Sequence, residues 1–104
     1  MSKRSKACDI SDRVRLRVRI RDDNECIICH SGRYLQIAHY IPRSQGGMGV
    51  EENLITLCID CHMEYDNGRK RKEYGDYIKK YLQWNYPDWD EEKLKYDKWR
   101  NVYE

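Results

Sequence analysis

The sequence contains no phenylalanine, no apolar stretch near its start, and no run approaching the roughly 18 apolar residues that cross a bilayer. The missing phenylalanine matters because only 39% of the 104 residues are hydrophobic while 37% are charged. A core built from side-chain burial alone is then thin, and a second source of stability is expected. The length admits one small domain and excludes most large enzyme folds. Without an apolar leader, the five cysteines point away from a secreted disulfide framework and toward metal binding in a reducing compartment. The expectation is a soluble, cytoplasmic protein without a membrane partner.

An excess of one charge is also missing, since 20 basic residues face 18 acidic ones. The distribution is less even. Residues 1 to 33 hold nine Lys/Arg against five acids, a second basic run occupies Arg69 to Lys72, and the end from Asp88 onward is acidic. Such asymmetry fits a polyanion approached from one side, although charge runs more often form solvated helix faces. There is no internal repeat and no low-complexity segment.

Residues 1 to 10 have no period and read as a mobile basic tail, with Cys8 given no role. From Asp12 to Asp22, Val14, Leu16, Val18 and Ile20 alternate with arginine, which is the strand period. The same residues form the helical pairs Val14/Val18 and Leu16/Ile20 behind a Ser11 or Asp12 cap, and the pattern alone slightly favours strand. Tyr34 to Ile41 and Leu54 to Leu57 read as a hairpin around a loop marked by Pro42, Gly46, Gly47 and Gly49. Cys58 to Asp66 then reads as a helix stopped at Asn67-Gly68. Tyr74, Tyr77, Ile78, Tyr81 and Leu82 recur at helical spacing. Another helical stretch is expected after Pro87, carrying Leu94, Tyr96, Trp99 and Tyr103.

The chemistry concentrates in two pairs, Cys26-x-x-Cys29 and Cys58-x-x-Cys61. Their spacing suits one tetrahedral Zn²⁺ held by four thiolates, a closed and therefore structural site. Zinc in small modules supplies on the order of 10 kcal/mol of folding free energy, which offsets the thin core. Ordinary buried thiols rarely come in two such pairs, and a redox use of one pair lacks a surrounding βαβ pattern. Near the pairs lie His39, Asn53, His62 and Asp66. His62 and Asp66 are four apart, so both project from one helix face. Taken singly, each of these four has an ordinary structural explanation.

Taken together, Arg21-Asp22, Cys26-x-x-Cys29, His39-Tyr40-Ile41-Pro42-Arg43-Ser44-Gln45-Gly46-Gly47, Asn53-Leu54-Ile55-Thr56-Leu57-Cys58 and Cys61-His62 resemble the HNH nuclease family in its zinc-containing, phage-associated form. The resemblance spans residues 11 to 67. It implies a small α+β fold of the ββα-metal type, with a structural zinc site of four cysteines and flanking helices, and it implies a helix over residues 12 to 22. The domain plan is then a tail at 1–10, a nuclease domain at 11–68 and a helical extension at 69–104.

By the same resemblance His39 is the general base, Asn53 fixes the loop and orients that base, and His62 ligates a catalytic Mg²⁺, Mn²⁺ or similar ion. Asp66 falls where many members carry a second helix ligand. Arg43, with Arg15 and Arg19 of the first helix, would contact DNA phosphates. The implied activity is metal-dependent hydrolysis of DNA phosphodiester bonds, as nicking, in phage DNA packaging or processing. A terminase or other large phage protein is the implied partner, and the host cytoplasm the implied location. The alternative is a zinc-stabilised nucleic-acid-binding module without catalysis. Ala38 keeps it open, because the residue before the base is usually a metal ligand and alanine has no donor atom. Weak metal binding completed by DNA is the expected consequence, ahead of recruitment of His39 as a ligand or loss of activity.

Overall fold

The computed structural model describes residues 2–97. Two antiparallel strands, β1 (Leu35–His39) and β2 (Leu54–Cys58), pair in a register that sets Leu35 opposite Cys58, Ala38 opposite Ile55 and His39 opposite Leu54. They are preceded by helices α1 (Lys3–Cys8) and α2 (Asp12–Arg21) and followed by α3 (Ile59–Asn67) and α4 (Arg71–Asn85). Single 3-10 turns occupy Arg43–Gln45, Glu51–Asn53 and Glu91–Leu94. This is the expected small α+β architecture, a β-hairpin followed by a helix.

Every residue of β2 is buried, because both faces of the sheet are covered. On one face Ala38, Ile55 and Leu57 pack with Tyr65 of α3, Ile78 and Leu82 of α4, and the cysteines Cys26, Cys58 and Cys61. On the other face Ile37 and Leu54 meet Val18 of α2, with Ile10 and Val14 at the margin. Alternate side chains of a strand point to opposite faces, so the two clusters divide the residues as the register requires. The segment from residue 69 onward therefore shares its core with the cysteine knuckles through α4.

The 12–22 segment is a helix, against its alternation and in agreement with the resemblance. Ser11 caps it, its hydroxyl accepting from the Val14 amide at 3.2 Å. Its apolar face is poor: Val18 is fully buried, whereas Leu16 and Ile20 are 61% and 67% exposed. Helix-compatible pairing of Val14 with Val18 wins because only that pair meets the sheet, and a polar hub at the helix end does the rest. Arg21 Nε and Nη2 donate to the two oxygens of buried Asp22 at 2.7 and 3.0 Å, and the same guanidinium donates to the carbonyls of Leu54 and Glu51 and to the Tyr86 hydroxyl. Asp22 also accepts from the Thr56 amide and the Tyr81 hydroxyl. Burial works against the Arg21 charge, but Asp22 and Tyr86 outweigh it and hold the guanidinium protonated beyond its ordinary range. One ion pair thus ties α2 to β2 and α4.

Two expectations need correction. Residues 3–8 are not a mobile tail: they form α1, capped by the Ser2 hydroxyl, and Cys8 is 2% exposed. The stretch after Pro87 holds one 3-10 turn, Glu91–Leu94, and then runs extended, with Met48 N donating to Leu94 O and Tyr96 N to Gly46 O. Acidic residues around Asp90 favour a turn start, and pairing with the 46–48 loop supplies backbone bonds that a helix would forgo. Trp99 and Tyr103 lie outside the described residues. Among those residues no helix is long and apolar enough to cross a membrane.

Candidate active site and metal centre

The four sulfurs of Cys26, Cys29, Cys58 and Cys61 lie within 4.8 Å of one another. Thiolates about 2.3 Å from a tetrahedral zinc stand about 3.8 Å apart, so small side-chain adjustments bring this cluster onto one ion. The first pair sits on a turn where His30 takes a positive φ of 67° and its amide donates to Cys26 O. The second pair opens α3, with Cys58 at the cap and its sulfur accepting from the Cys61 amide at 3.4 Å. Burial raises the Cys26 thiol, but amide donors from Cys29, Cys58 and Ile28 overcome this and bring it down to about 7. Burial and the neighbouring sulfurs push Cys61 up. A cage of four sulfurs with amide donors aimed at it, three of its cysteines buried and Cys29 at the surface, is the chemistry of a structural site.

One turn further along α3 the surroundings become polar. His62 and Asp66 project together, His62 Nε2 lying 3.1 Å from Asp66 Oδ2. Two ligand atoms about 2.1 Å from one hard cation and at right angles stand about 3 Å apart, so the pair has the spacing of adjacent ligands. Gln36 Oε1 lies 2.6 Å from His62 Nδ1. An amide oxygen only accepts, so Nδ1 carries a proton toward Gln36, which leaves Nε2 as the ring atom that would ligate a cation beside Asp66. Gln36 gives no signal in the sequence, because its role depends on strand β1 lying beside α3.

His39, at the end of β1, lines the same cavity of about 460 Å³ with His62, Asp66, Arg43 and Arg71. Its ring is half-buried, and Nε2 lies 3.0 Å from the carbonyl oxygen of Cys8. Burial holds the imidazole below its ordinary pKa; Arg43 and His62 reinforce this, while the Cys8 carbonyl and Asp66 oppose it. Ala38 also lines the cavity and is 1% exposed.

Asn53 is fully buried and uses its whole amide on the loop after β1: Oδ1 accepts from Ile41 N at 2.8 Å, and Nδ2 donates to Ile41 O and Met48 O. The loop-fixing half of its expected role has its geometry here, whereas the ring of His39 is held by Cys8. Arg43 donates to Cys8 O at 2.8 Å and pairs with Asp9 at 2.8 Å. Arg15 and Arg19 lie on α2, apart from the residues that line the cavity, and Arg19 Nε donates to Asn24 Oδ1.

The sequence comparisons agree with this geometry. Residues 26–68 match the family model described as HNH endonuclease. The chain is 40% identical over 40 residues to the type IV methyl-directed restriction enzyme EcoKMcrA of Escherichia coli strain K12, a match covering 38% of this chain and 14% of that protein. It is 36% identical over 45 residues to Anaredoxin of Nostoc sp., covering 42% of this chain and 59% of that protein. The chain therefore spans less than two thirds of either relative. The segment that matches the HNH endonuclease model, residues 26–68, holds both the four-cysteine cage and the His39, His62 and Asp66 constellation.

Proposed function

We propose that the protein is a divalent-metal-dependent endonuclease that hydrolyses DNA phosphodiester bonds one strand at a time. The observation that carries this reading is the convergence of a half-buried imidazole, a helix-borne His/Asp pair and two arginines on one open cavity. His39 takes the proton of the attacking water at Nδ1, since Nε2 is committed to a carbonyl that can only accept. The water oxygen bonds to phosphorus as the bond to the leaving sugar oxygen breaks, and that oxygen ends protonated. An imidazole depressed by burial stays neutral, and so able to accept, at physiological pH.

His62 and Asp66 would hold a Mg²⁺, Mn²⁺ or similar ion, whose charge would stabilise the phosphate and leaving oxygens. Arg43 and Arg71 place cationic groups beside that position. Arg69 and Lys72 line a neighbouring groove of about 600 Å³ that shares Pro42, Gln45 and Arg71 with the first cavity. The flanking strand would follow this groove, with Arg15 and Arg19 adding phosphate contacts from α2. Ala38 supports a second reading, a zinc-stabilised nucleic-acid-binding module, because it leaves the ion two protein ligands.

A supercoiled-plasmid assay with Mg²⁺, Mn²⁺ or EDTA separates the two. Metal-dependent nicking that disappears in His39→Ala, with zinc content and melting temperature unchanged, is expected. DNA binding without nicking under every metal condition would leave the module reading.

A further inference from the structure

Helix α1 lies outside the residues matched to the nuclease family, yet it touches the centre of the site. Its last carbonyl, on Cys8, receives two donors, His39 Nε2 at 3.0 Å and Arg43 Nη1 at 2.8 Å. A carbonyl oxygen offers two lone pairs, so both are used. The next residue, Asp9, holds the other end of the same guanidinium, Nη2 to Oδ1 at 2.8 Å.

We propose that α1 is the positioning element of the base: the Cys8 carbonyl fixes His39 as the Nε2–H tautomer and turns Nδ1 toward the cavity, while the Asp9–Arg43 clamp keeps that carbonyl in place. The catalytic consequence rests on the nuclease reading above, but the tautomer does not. Three observations support it. First, α1 is fastened to the loop after the base: Gly49 N donates to Ala7 O at 2.9 Å and Arg4 Nη2 to Ser44 O at 3.0 Å. Second, the approach is so close that a Cβ at Gly49 would overlap the Asp9 carbonyl and press on Cys8 O. Third, Asn53, the residue expected to orient the base, spends its side-chain amide on Ile41 and Met48. Cys8 and Asp9 are therefore positioning residues, one through its backbone and one through its carboxylate. Neither enters the two apolar clusters that carry the core.

The test uses the full chain with ¹⁵N-labelled histidine, at a pH where the imidazoles are neutral, with His39→Gln to assign the signals. Wild type should show His39 as the Nε2–H tautomer. Gly49→Ala, which displaces the end of α1, should lose that preference and lower kcat for nicking about tenfold, part of what an oriented base contributes. KM for DNA and zinc content should stay near wild type while the overlap lowers the melting temperature, and this split of kcat from KM together with the tautomer change is what a merely structural role would not predict. Asp9→Ala should give the same pattern more weakly and serves if Gly49→Ala does not fold, whereas Asp9→Asn, which keeps an acceptor, should recover part of the rate. A wild-type His39 protonated on Nδ1, or a folded Gly49→Ala with unchanged tautomer and kcat, would overturn the proposal. A protein that cuts nothing while His39 keeps the Nε2–H form, and loses it in Gly49→Ala, would remove the nuclease reading and leave the α1 contact standing.

Discussion

The two ends of α3 make opposite use of neighbouring residues. At its start Cys58 and Cys61 join Cys26 and Cys29 in a cage of four soft donors, backed by Ile55, Leu57 and Ile78. One residue after Cys61, the helix turns His62, and with it Asp66, to an open cavity where an imidazole and a carboxylate stand beside His39 and two arginines. The first site is complete without a ligand molecule. The second, as proposed above, would be completed only by something that brings oxygen atoms. In the proposed reading a single turn of helix separates a closed site of soft donors from one that would leave coordination positions free, and the division follows from donor count and the apolar wall behind one of them.

The comparison breaks most strongly at the sulfur end. Cys26→Ala or Cys61→Ala should abolish folding, because on the order of 10 kcal/mol of metal-coupled folding energy exceeds the stability of a small domain. Circular dichroism with metal analysis checks this, with about one Zn²⁺ per wild-type chain expected. A metal-free variant with a native melting curve would show that the core suffices alone.

Next in size is the Arg21–Asp22 hub, which anchors α2 without any metal. Asp22→Ala leaves a buried guanidinium unpaired and frees the Thr56 amide and Tyr81 hydroxyl, so about 3–5 kcal/mol of stability should be lost. Urea unfolding measures it. A loss comparable to that of an exposed pair such as Lys72–Asp76, below about 1 kcal/mol, would remove the hub from the account.

What is legible in the sequence follows the same division. The paired cysteines announce their cage because sulfur ligands need fixed short spacings, and the hairpin announces itself through β-prone runs around a Pro/Gly loop. His62 and Asp66 share a helix face by the 3.6-residue period alone. The period of α2 misleads, since alternation of valine and arginine satisfies both geometries and a buried ion pair decides between them. The partners Gln36 and Cys8 are invisible for a deeper reason: one acts through a strand-to-helix contact, the other through a backbone carbonyl that any residue possesses. The 1–10 segment lacks an apolar period because six residues of helix are held by caps and loop contacts instead.

At the polar end the expected effects are smaller and appear in metal dependence. Asp66→Ala removes one of the two proposed helix ligands, and Gln36→Ala removes the acceptor that fixes the His62 ring, each expected to raise the Mg²⁺ or Mn²⁺ concentration for half-maximal nicking by about 10- to 100-fold. Asp66→Ala should shift it more, while melting temperature barely changes because Asp66 is half-exposed. Titration of nicking rate at fixed DNA and salt gives both midpoints. Identical midpoints for wild type and Asp66→Ala would take Asp66 away from the ion.

The finest adjustment is at Ala38, which lines the cavity at 1% exposure on the sheet face that meets α3. A carboxylate there would be held among apolar neighbours next to His62 and Asp66. Without a cation, Ala38→Asp buries a second negative charge near Asp66, and the melting temperature should fall by several degrees, since about 1 kcal/mol moves a domain of this size by roughly 4–8 °C. With Mn²⁺ the new oxygen becomes a third donor to the same ion, so the loss should shrink and the metal midpoint for nicking should drop several-fold. Wild type, with two donors, should show a much weaker thermal response to Mn²⁺. The decisive comparison is therefore the melting temperature of both proteins with and without Mn²⁺, which reads the site independently of cleavage. Equal Mn²⁺ responses in the two would mean that position 38 does not reach the ion, and that the polar end of α3 is closed to further ligands on the strand side.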